Sequence, residues 1–196
     1  MPSTRWESTL HRDSGAVAVE TAVVSMFLII LLFGIVESSF LFKDWLSVSA
    51  AARAGARMGA SQPRVANFAQ ASADQVTNAL SDLNPANIQA VWVYKTTGTT
   101  GSPPASCNSS SSCVPFTWNG TQLTTSSLGN WLSTSQDACA GDVTTAPNLR
   151  DSLGVYVKYN HTSQWGFFFK TTSIISQSTV MWIEPWTADV HCKPGV

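Results

Sequence analysis

The fold turns on residues 22–36, AVVSMFLIILLFGIV, a run without a single charge. Read back through AVAVET, the apolar stretch covers Ala16 to Val36, with Glu20 inside it and Glu37 closing it. At about 1.5 Å of rise per helical residue this length spans roughly 30 Å, one hydrocarbon thickness. A helix this oily could instead be the core of a large soluble domain. The rest of the chain, however, lacks the apolar helices needed to enclose it. A cleaved secretory signal would require small residues just after the apolar run. Here SVSAAARAGA begins about ten residues later, beyond Glu37, Lys43, Asp44 and Trp45. The sequence therefore predicts a transmembrane helix over 16–42. A carboxylate placed at Glu20 is costly in hydrocarbon, so it either has a partner within the membrane or sits at the interface in contact with head groups.

Beyond the span, Leu46 to Ala60 stays helical by composition. Ala51, Gly55 and Gly59 recur every four residues and share one smooth face, while Arg53 and Arg57 mark a second. The smooth face suits close helix packing, against another chain or against a second helix of the same chain, and Gly34 offers a further close approach within the span. Gln62-Pro63 breaks the helix. A second helix is expected over 64–83, with Val65, Phe68, Ala69, Ala73, Val76, Ala79, Leu80 and Leu83 as its apolar stripe, ending at Asn84-Pro85. Residues 88–96 (IQAVWVYKT) read as a strand with Ile88, Ala90, Trp92 and Tyr94 on one face. Residues 97–149 read as a mostly irregular insertion containing TGTTGSPPASCNSSSSC, with Phe116, Trp118 and Trp131 available to pin it. Leu153, Val155, Val157 and Tyr159 alternate along a further strand, residues 165–169 form an apolar turn suited to facing the membrane, and the chain returns extended over 174–184. The expected class is α+β: a long N-terminal transmembrane helix continuing into a small-residue helix, a second helix, then a small antiparallel sheet with a disulfide-stapled loop. The expected boundaries are 1–15, a cytosolic leader; 16–42, the span; 43–83, membrane-proximal helices; and 84–196, a β-rich extracytoplasmic domain.

Only 12% of residues are charged, and the net charge is −1. No basic excess exists to neutralise a phosphate backbone, which argues against nucleic acid as a partner. All four cysteines (Cys107, Cys113, Cys139 and Cys192) follow the span. An even number on one side of a membrane anchor points to two disulfides in an oxidising compartment. Of three possible pairings we expect Cys107 with Cys113 and Cys139 with Cys192. No metal site is expected, because His161 and His191 are far from the 107–113 pair. Asp137 and Asp142 could approach Asp151, but no spacing suggests catalytic convergence, and no phosphate-binding or dinucleotide-binding motif occurs. The reading is that of a non-enzymatic protein without cofactor.

Topology carries a conflict. Arg5 and Arg12 are offset by Glu7 and Asp13 before the span, whereas Lys43, Arg53, Arg57 and Arg64 follow it. A bare count of positive charges would keep the C-terminal side in the cytosol. The cysteines and the size of the following domain argue that it is outside.

Residues 12–60, RDSGAVAVETAVVSMFLIILLFGIVESSFLFKDWLSVSAAARAGARMGA, resemble the TadE-like family, minor pseudopilins of tight-adherence (Flp-type) pilus assembly. The resemblance rests on GAVAVE, the apolar run ending GIVE, and the small-residue helix AAARAGARMGA, in that order. Past residue 60 it is loose, reduced to a late extended segment ending IEP at Ile183 to Pro185. It implies insertion in the cell membrane with the C-terminal domain extracytoplasmic. The implied partners are the lipid bilayer, other pilus subunits or assembly-platform membrane proteins, and a prepilin peptidase. Carried onto this sequence, cleavage would fall between Gly15 and Ala16 and put Glu20 at mature position five. There its carboxylate could neutralise the new ammonium of Ala16 in its own or a neighbouring chain. Thr21 follows Glu20, where the major Flp pilins commonly have Tyr, which suits a minor component. The alternative is a membrane-anchored surface module that binds a polymer or protein through loop 97–149.

Overall fold

The computed structural model describes residues 7–96, 98, 100–107, 112–125, 131–138, 151–163 and 172–185. One helix, α1 (Glu7–Ala60), carries both the apolar run and the small-residue segment, and α2 (Phe68–Ala79) follows. Five strands complete the order: β1 (Ile88–Thr96), β2 (Cys113–Trp118), β3 (Leu123–Thr124), β4 (Ser152–Thr162) and β5 (Thr172–Trp182). The chain divides into two compact units between Phe42 and Lys43.

In the second unit the strands form one antiparallel sheet in the order β3-β2-β1-β4-β5. The C-terminal part of α1 and all of α2 cover one face of it. Leu153, Val155, Val157 and Tyr159 of β4 are buried there, as the alternation along that strand predicts. Val91 and Val93 of β1 lie opposite Val157 and Val155, and Phe116 and Val114 of β2 lie opposite them on the other side. Apolar alternation on one face of each strand thus builds a single core.

Three features depart from the sequence reading. Along β1, Ala90, Trp92 and Tyr94 share one face as expected, but Ile88 joins Val91 and Val93 on the helix-facing side, because the pairing with β4 shifts register between Ile88 and Ala90. An extra residue there reverses the phase of the alternation. Trp92 turns to the other face and packs against Tyr156, with ring centroids 4.9 Å apart. The second helix begins at Phe68 rather than at residue 64. Arg64 adopts a positive φ of 59° in the turn after Pro63, which leaves Val65 exposed. Helical geometry gives way after Ala79, yet Leu80 and Leu83 remain buried through successive turns. Finally, the insertion 97–149 is not wholly irregular: β2 and β3 lie within it and extend the sheet. Phe116 and Trp131 are buried, Trp131 edge-on to Phe68 at 5.2 Å, so both do pin the segment, while Trp118 is half-buried.

The end of α1 is tied to the end of the sheet. Ala60 O accepts from the N–H of Glu184, and Ile183 N–H donates to Asp151 O. The IEP segment therefore satisfies a carbonyl that the helix terminus would otherwise leave without a partner. On the outer face of the sheet, Gly154 makes room for the Tyr94 ring, which occupies the position a Cβ at 154 would take. Replacing Gly154 by Ala must push that buried ring aside. We expect a loss of about 1–3 kcal/mol, as for other overpacked cores, read from the denaturant midpoint of the detergent-solubilised protein. Gly55→Ala would set a methyl group 2.5 Å from Val76 Cγ2 and 3.1 Å from the Ser72 carbonyl oxygen. The helix-propensity gain of about 1 kcal/mol opposes that clash, and we expect a net loss of about 1–2 kcal/mol in the same assay.

Candidate functional site

Between Gly15 and Phe42 most apolar side chains of the first unit are exposed. Val17, Val19, Met26, Phe27, Leu28, Leu31, Leu32 and Ile35 are all more than half exposed, with Phe27 at 71%. This one helix is long and apolar enough to cross a membrane. Its hydroxyls need no outside partner: Thr21 and Ser25 donate to Val17 O and Thr21 O at 2.8 and 2.6 Å, and Ser38 and Ser39 to Gly34 O and Ile35 O at 2.8 Å. Back-bonding of this kind hides polar groups within the helix. Glu20 is different. It is exposed on the helix surface, and among the described residues no cation pairs with it. Gly15 and Ala16 lie within α1, so a peptidase acting between them must unwind the helix locally. Gly34 borders a shallow groove with Leu31, Ile35, Ser38, Ser39 and Phe42.

In the second unit the smooth stripe meets the chain's own elements. Ala51 is fully buried. At Gly55 the backbone approaches Val76 and Ser72 of α2 and Val155 of β4, and at Gly59 it approaches Leu153 and Ser72. Ser72 Oγ donates to Gly55 O at 2.8 Å in this buried contact. Of the two partners open to this stripe, another chain or the second helix, the structure assigns α2, together with β4. Arg53 faces outward and donates to Ser49 Oγ at 3.0 Å.

A polar cluster that sequence reasoning missed sits where α1 enters the second unit. Asp44 Oδ2 accepts from Nδ1 of buried His161 at 2.7 Å. Beside it, Lys43 pairs with Asp82 at 3.2 Å, and Ser47 donates to the same carboxylate at 3.2 Å. Burial works against ionisation of the Asp82 carboxyl, but the hydrogen bond and charge of Lys43 outweigh it, and the group sits below its ordinary value. Burial raises the Tyr159 hydroxyl. The Asn87 hydrogen bond opposes this, and the negative charge of Asp44 adds to it. Asp44 and His161 are 117 residues apart, and neither lies in a recognisable motif. Only the antiparallel run of β4 back along α1 brings them together.

Cys107 and Cys113 form a disulfide with Cα atoms 5.5 Å apart, and Cys113 opens β2. It closes the CNSSSSC segment as the sequence predicts. Cys139, Cys192, Asp142, His191 and the apolar turn 165–169 lie outside the described residues. Asp137 and Asp151 do approach each other, but as a structural link. Asp151 N–H donates to Asp137 O at 2.8 Å, Asp137 N–H donates to Asp151 Oδ2 at 2.9 Å, and Lys95 pairs with Asp151 at 2.6 Å. Among the described residues no three His, Cys, Asp or Glu side chains converge on a point where a metal ion could sit.

Residues 15–57 match the family of TadE-like proteins. The match covers about a fifth of the chain and stays within α1. No curated protein and no solved structure matches the chain. The TadE-like segment holds Glu20, Gly34, Ala51 and Gly55, and so combines the lipid-length apolar surface with most of the stripe that docks α2 and β4. It also contains Asp44, the α1 half of the buried pair with His161.

Removing that half should be costly. Asp44→Ala leaves the His161 N–H buried without its acceptor, and we expect a loss of about 1–3 kcal/mol in unfolding of the detergent-solubilised protein. Lys43→Ala breaks a pair whose side chains are half exposed, and a change below about 1 kcal/mol is expected. A second test uses alkaline pH. Burial raises both Tyr94 and Tyr159 above the ordinary tyrosine value of 10.0. The unfolded chain then releases these protons first, so stability is intact below pH 10.0 and falls as pH rises through the raised folded values. Melting temperature measured from pH 8 upward should be flat and then decline, and Tyr159→Phe should shrink the decline.

Proposed function

We propose that this protein is a TadE-like pseudopilin, a membrane-anchored structural or assembly subunit of a tight-adherence (Flp-type) pilus. The observation that carries the reading is the family match over 15–57, falling on a helix whose apolar side chains are exposed over a membrane's thickness. In this reading residues 16–42 hold the chain in the cell membrane, and the unit beginning at Lys43 is presented on the extracytoplasmic side. The Cys107–Cys113 disulfide supports that orientation, since such bonds persist in oxidising compartments. The basic residues after the span oppose it weakly. Arg53, Arg57 and Arg64 belong to a folded unit, and large domains translocate largely regardless of charge.

The mechanism is assembly rather than catalysis. Lipid solvates the helix until another subunit's helix replaces it. Glu20, exposed among apolar side chains, gains from an ammonium group on its own or a neighbouring chain, and that pairing sets the axial register between subunits. The groove at Gly34 offers room for close approach. Partners are other pilus subunits or platform membrane proteins, and a prepilin peptidase where the leader is removed.

Mass spectrometry of the protein purified from native membranes tests the reading. A mature N-terminus at Ala16, with recovery of pilus components in the same detergent complex, is the expected outcome. An intact leader on a chain that purifies alone favours the anchored binding module instead. Glu20→Ala should leave membrane insertion intact and lower co-purification of pilus components by about tenfold, the weight of one desolvated charge pair. Unchanged co-purification removes the pairing role.

A further inference from the structure

The hairpin between β2 and β3 turns through Asn119, Gly120, Thr121 and Gln122, all of them exposed. Asn119 N–H donates to Gln122 O at 3.1 Å, so Gly120 and Thr121 form the tip. Gly120 has a φ of 104°, open to glycine and strained for other residues. Asn119-Gly120 is also the one Asn-Gly pair in the sequence.

The Asn119 Oδ1 accepts from Thr121 N–H at 3.0 Å, from Gln122 N–H at 2.9 Å and from the Thr121 hydroxyl at 3.1 Å. Two backbone N–H groups can face only an acceptor, which fixes the amide oxygen on that side. Among the described residues neither Asn119 Nδ2 nor the Gly120 N–H has a hydrogen-bond partner. Three donors on one amide oxygen draw electron density from Cγ. They are aimed where negative charge collects when a nucleophile adds to that carbon. The Gly120 nitrogen is such a nucleophile. It follows Asn119 directly in the chain, so addition closes a five-membered ring, and no side chain on Gly120 obstructs it.

We propose that Asn119 is a self-modification site, at which the folded hairpin promotes conversion of the side-chain amide to a carboxylate through a cyclic imide with Gly120 N. The Gly120 nitrogen gives up its proton to solvent, and its electron pair forms the bond to Cγ. Oδ1 carries the resulting charge under its three donors. The bond from Cγ to Nδ2 then breaks, and Nδ2 takes a proton and leaves as ammonia. Water opens the imide by breaking one of its two carbonyl C–N bonds. Addition at Cγ restores the main chain and leaves an aspartate side chain. Addition at the main-chain carbonyl carbon leaves the chain running through Cβ and Cγ, an isoaspartate. In total one water is consumed and one ammonia is released, with no oxidant and no cofactor.

Both products add a negative charge to a stretch, 113–125, that has none. They differ in what they do to the hairpin. Aspartate keeps an oxygen in front of the Thr121 and Gln122 N–H groups. Isoaspartate lengthens the main chain by one carbon and shortens the side chain by one, which takes that oxygen out of place. β3 is only two residues long and pairs with β2 through Thr117–Thr124 and Trp118–Leu123, so it depends on this turn. Leu123 is fully buried, and its carbonyl accepts from Gln70 Nε2 of α2 at 3.0 Å. Isoaspartate formation therefore loosens the tie between the hairpin and α2.

Peptide mapping by mass spectrometry tests the site, on the full-length protein in detergent after incubation in mildly alkaline buffer. We expect conversion at Asn119 ahead of the other asparagines, to both aspartate and isoaspartate. The isoaspartate fraction, isolated chromatographically, should exchange its amides at Thr117 and Thr124 faster than the unconverted protein. Thr121→Val removes one of the three donors and leaves the Asn-Gly pair intact. It should slow conversion in the folded protein by about threefold, a modest factor because water can replace an exposed donor. In the synthetic peptide FTWNGTQLT, too short to hold a hairpin, the same change should leave the rate nearly as it was. An amide that persists at Asn119 overturns the site, whatever the other asparagines do. Equal slowing of protein and peptide by Thr121→Val, or slowing of neither, overturns the part assigned to the folded hairpin.

Discussion

The buried contact at Gly55 is the constraint on which the second unit depends. There α1 meets α2 closely enough for Ser72 Oγ to donate to the Gly55 carbonyl at 2.8 Å, and Val155 of β4 reaches the same spot. Any side chain larger than hydrogen would hold the three elements apart. With them together, α2 and the C-terminal part of α1 form a layer that buries Leu153, Val155 and Val157 on one side and Ala51, Ala52 and Ala56 on the other. The sheet order follows, because β4 must lie under α1, with β1 and β5 as its neighbours.

The same helix changes character along its length. Between Gly15 and Phe42 most of its apolar side chains are exposed, four of its hydroxyls are satisfied internally, and Glu20 is exposed with no cation paired to it among the described residues. From Lys43 onward it becomes the core helix of a folded unit. The change is marked by Lys43–Asp82 and Asp44–His161, which fix the first turn of the packed segment to the α2–β1 connection and to the end of β4. The buried pair, Asp44 and His161, is tolerable at such a boundary because each group has its counterpart within hydrogen-bonding distance, while Lys43 and Asp82 stay half exposed. The far end is tied by Glu184 N–H to Ala60 O. The packed part of α1 is thus fastened at both ends by polar contacts and along its length by small residues.

This arrangement gives physical content to the family match. The TadE-like segment, 15–57, contains the apolar surface, Glu20, Asp44 and Gly55. It does not contain the sheet, the disulfide or β5. The match thus covers the apolar and small-residue helix and leaves the sheet that follows it outside.

Much of this was readable from residues alone. The uncharged run 22–36 is long and apolar enough for a membrane-crossing helix, and the four-residue recurrence of Ala51, Gly55 and Gly59 announces a close contact, since helical geometry puts those positions on one face. The alternation in 153–159 marks its strand for the same geometric reason. CNSSSSC is short enough for its ends to meet, and they do. What tertiary structure decided was everything that needed a partner distant in sequence. It chose α2 and β4 for the small-residue face, turned Val91 and Val93 inward through a bulge at the start of β1, and drew β2 out of a segment that reads as loop because Pro115 and its polar flanks hide a six-residue strand. It also joined Asp44 to His161 across 117 residues. Local periodicity reports which face of an element is apolar; only the folded chain says what that face meets.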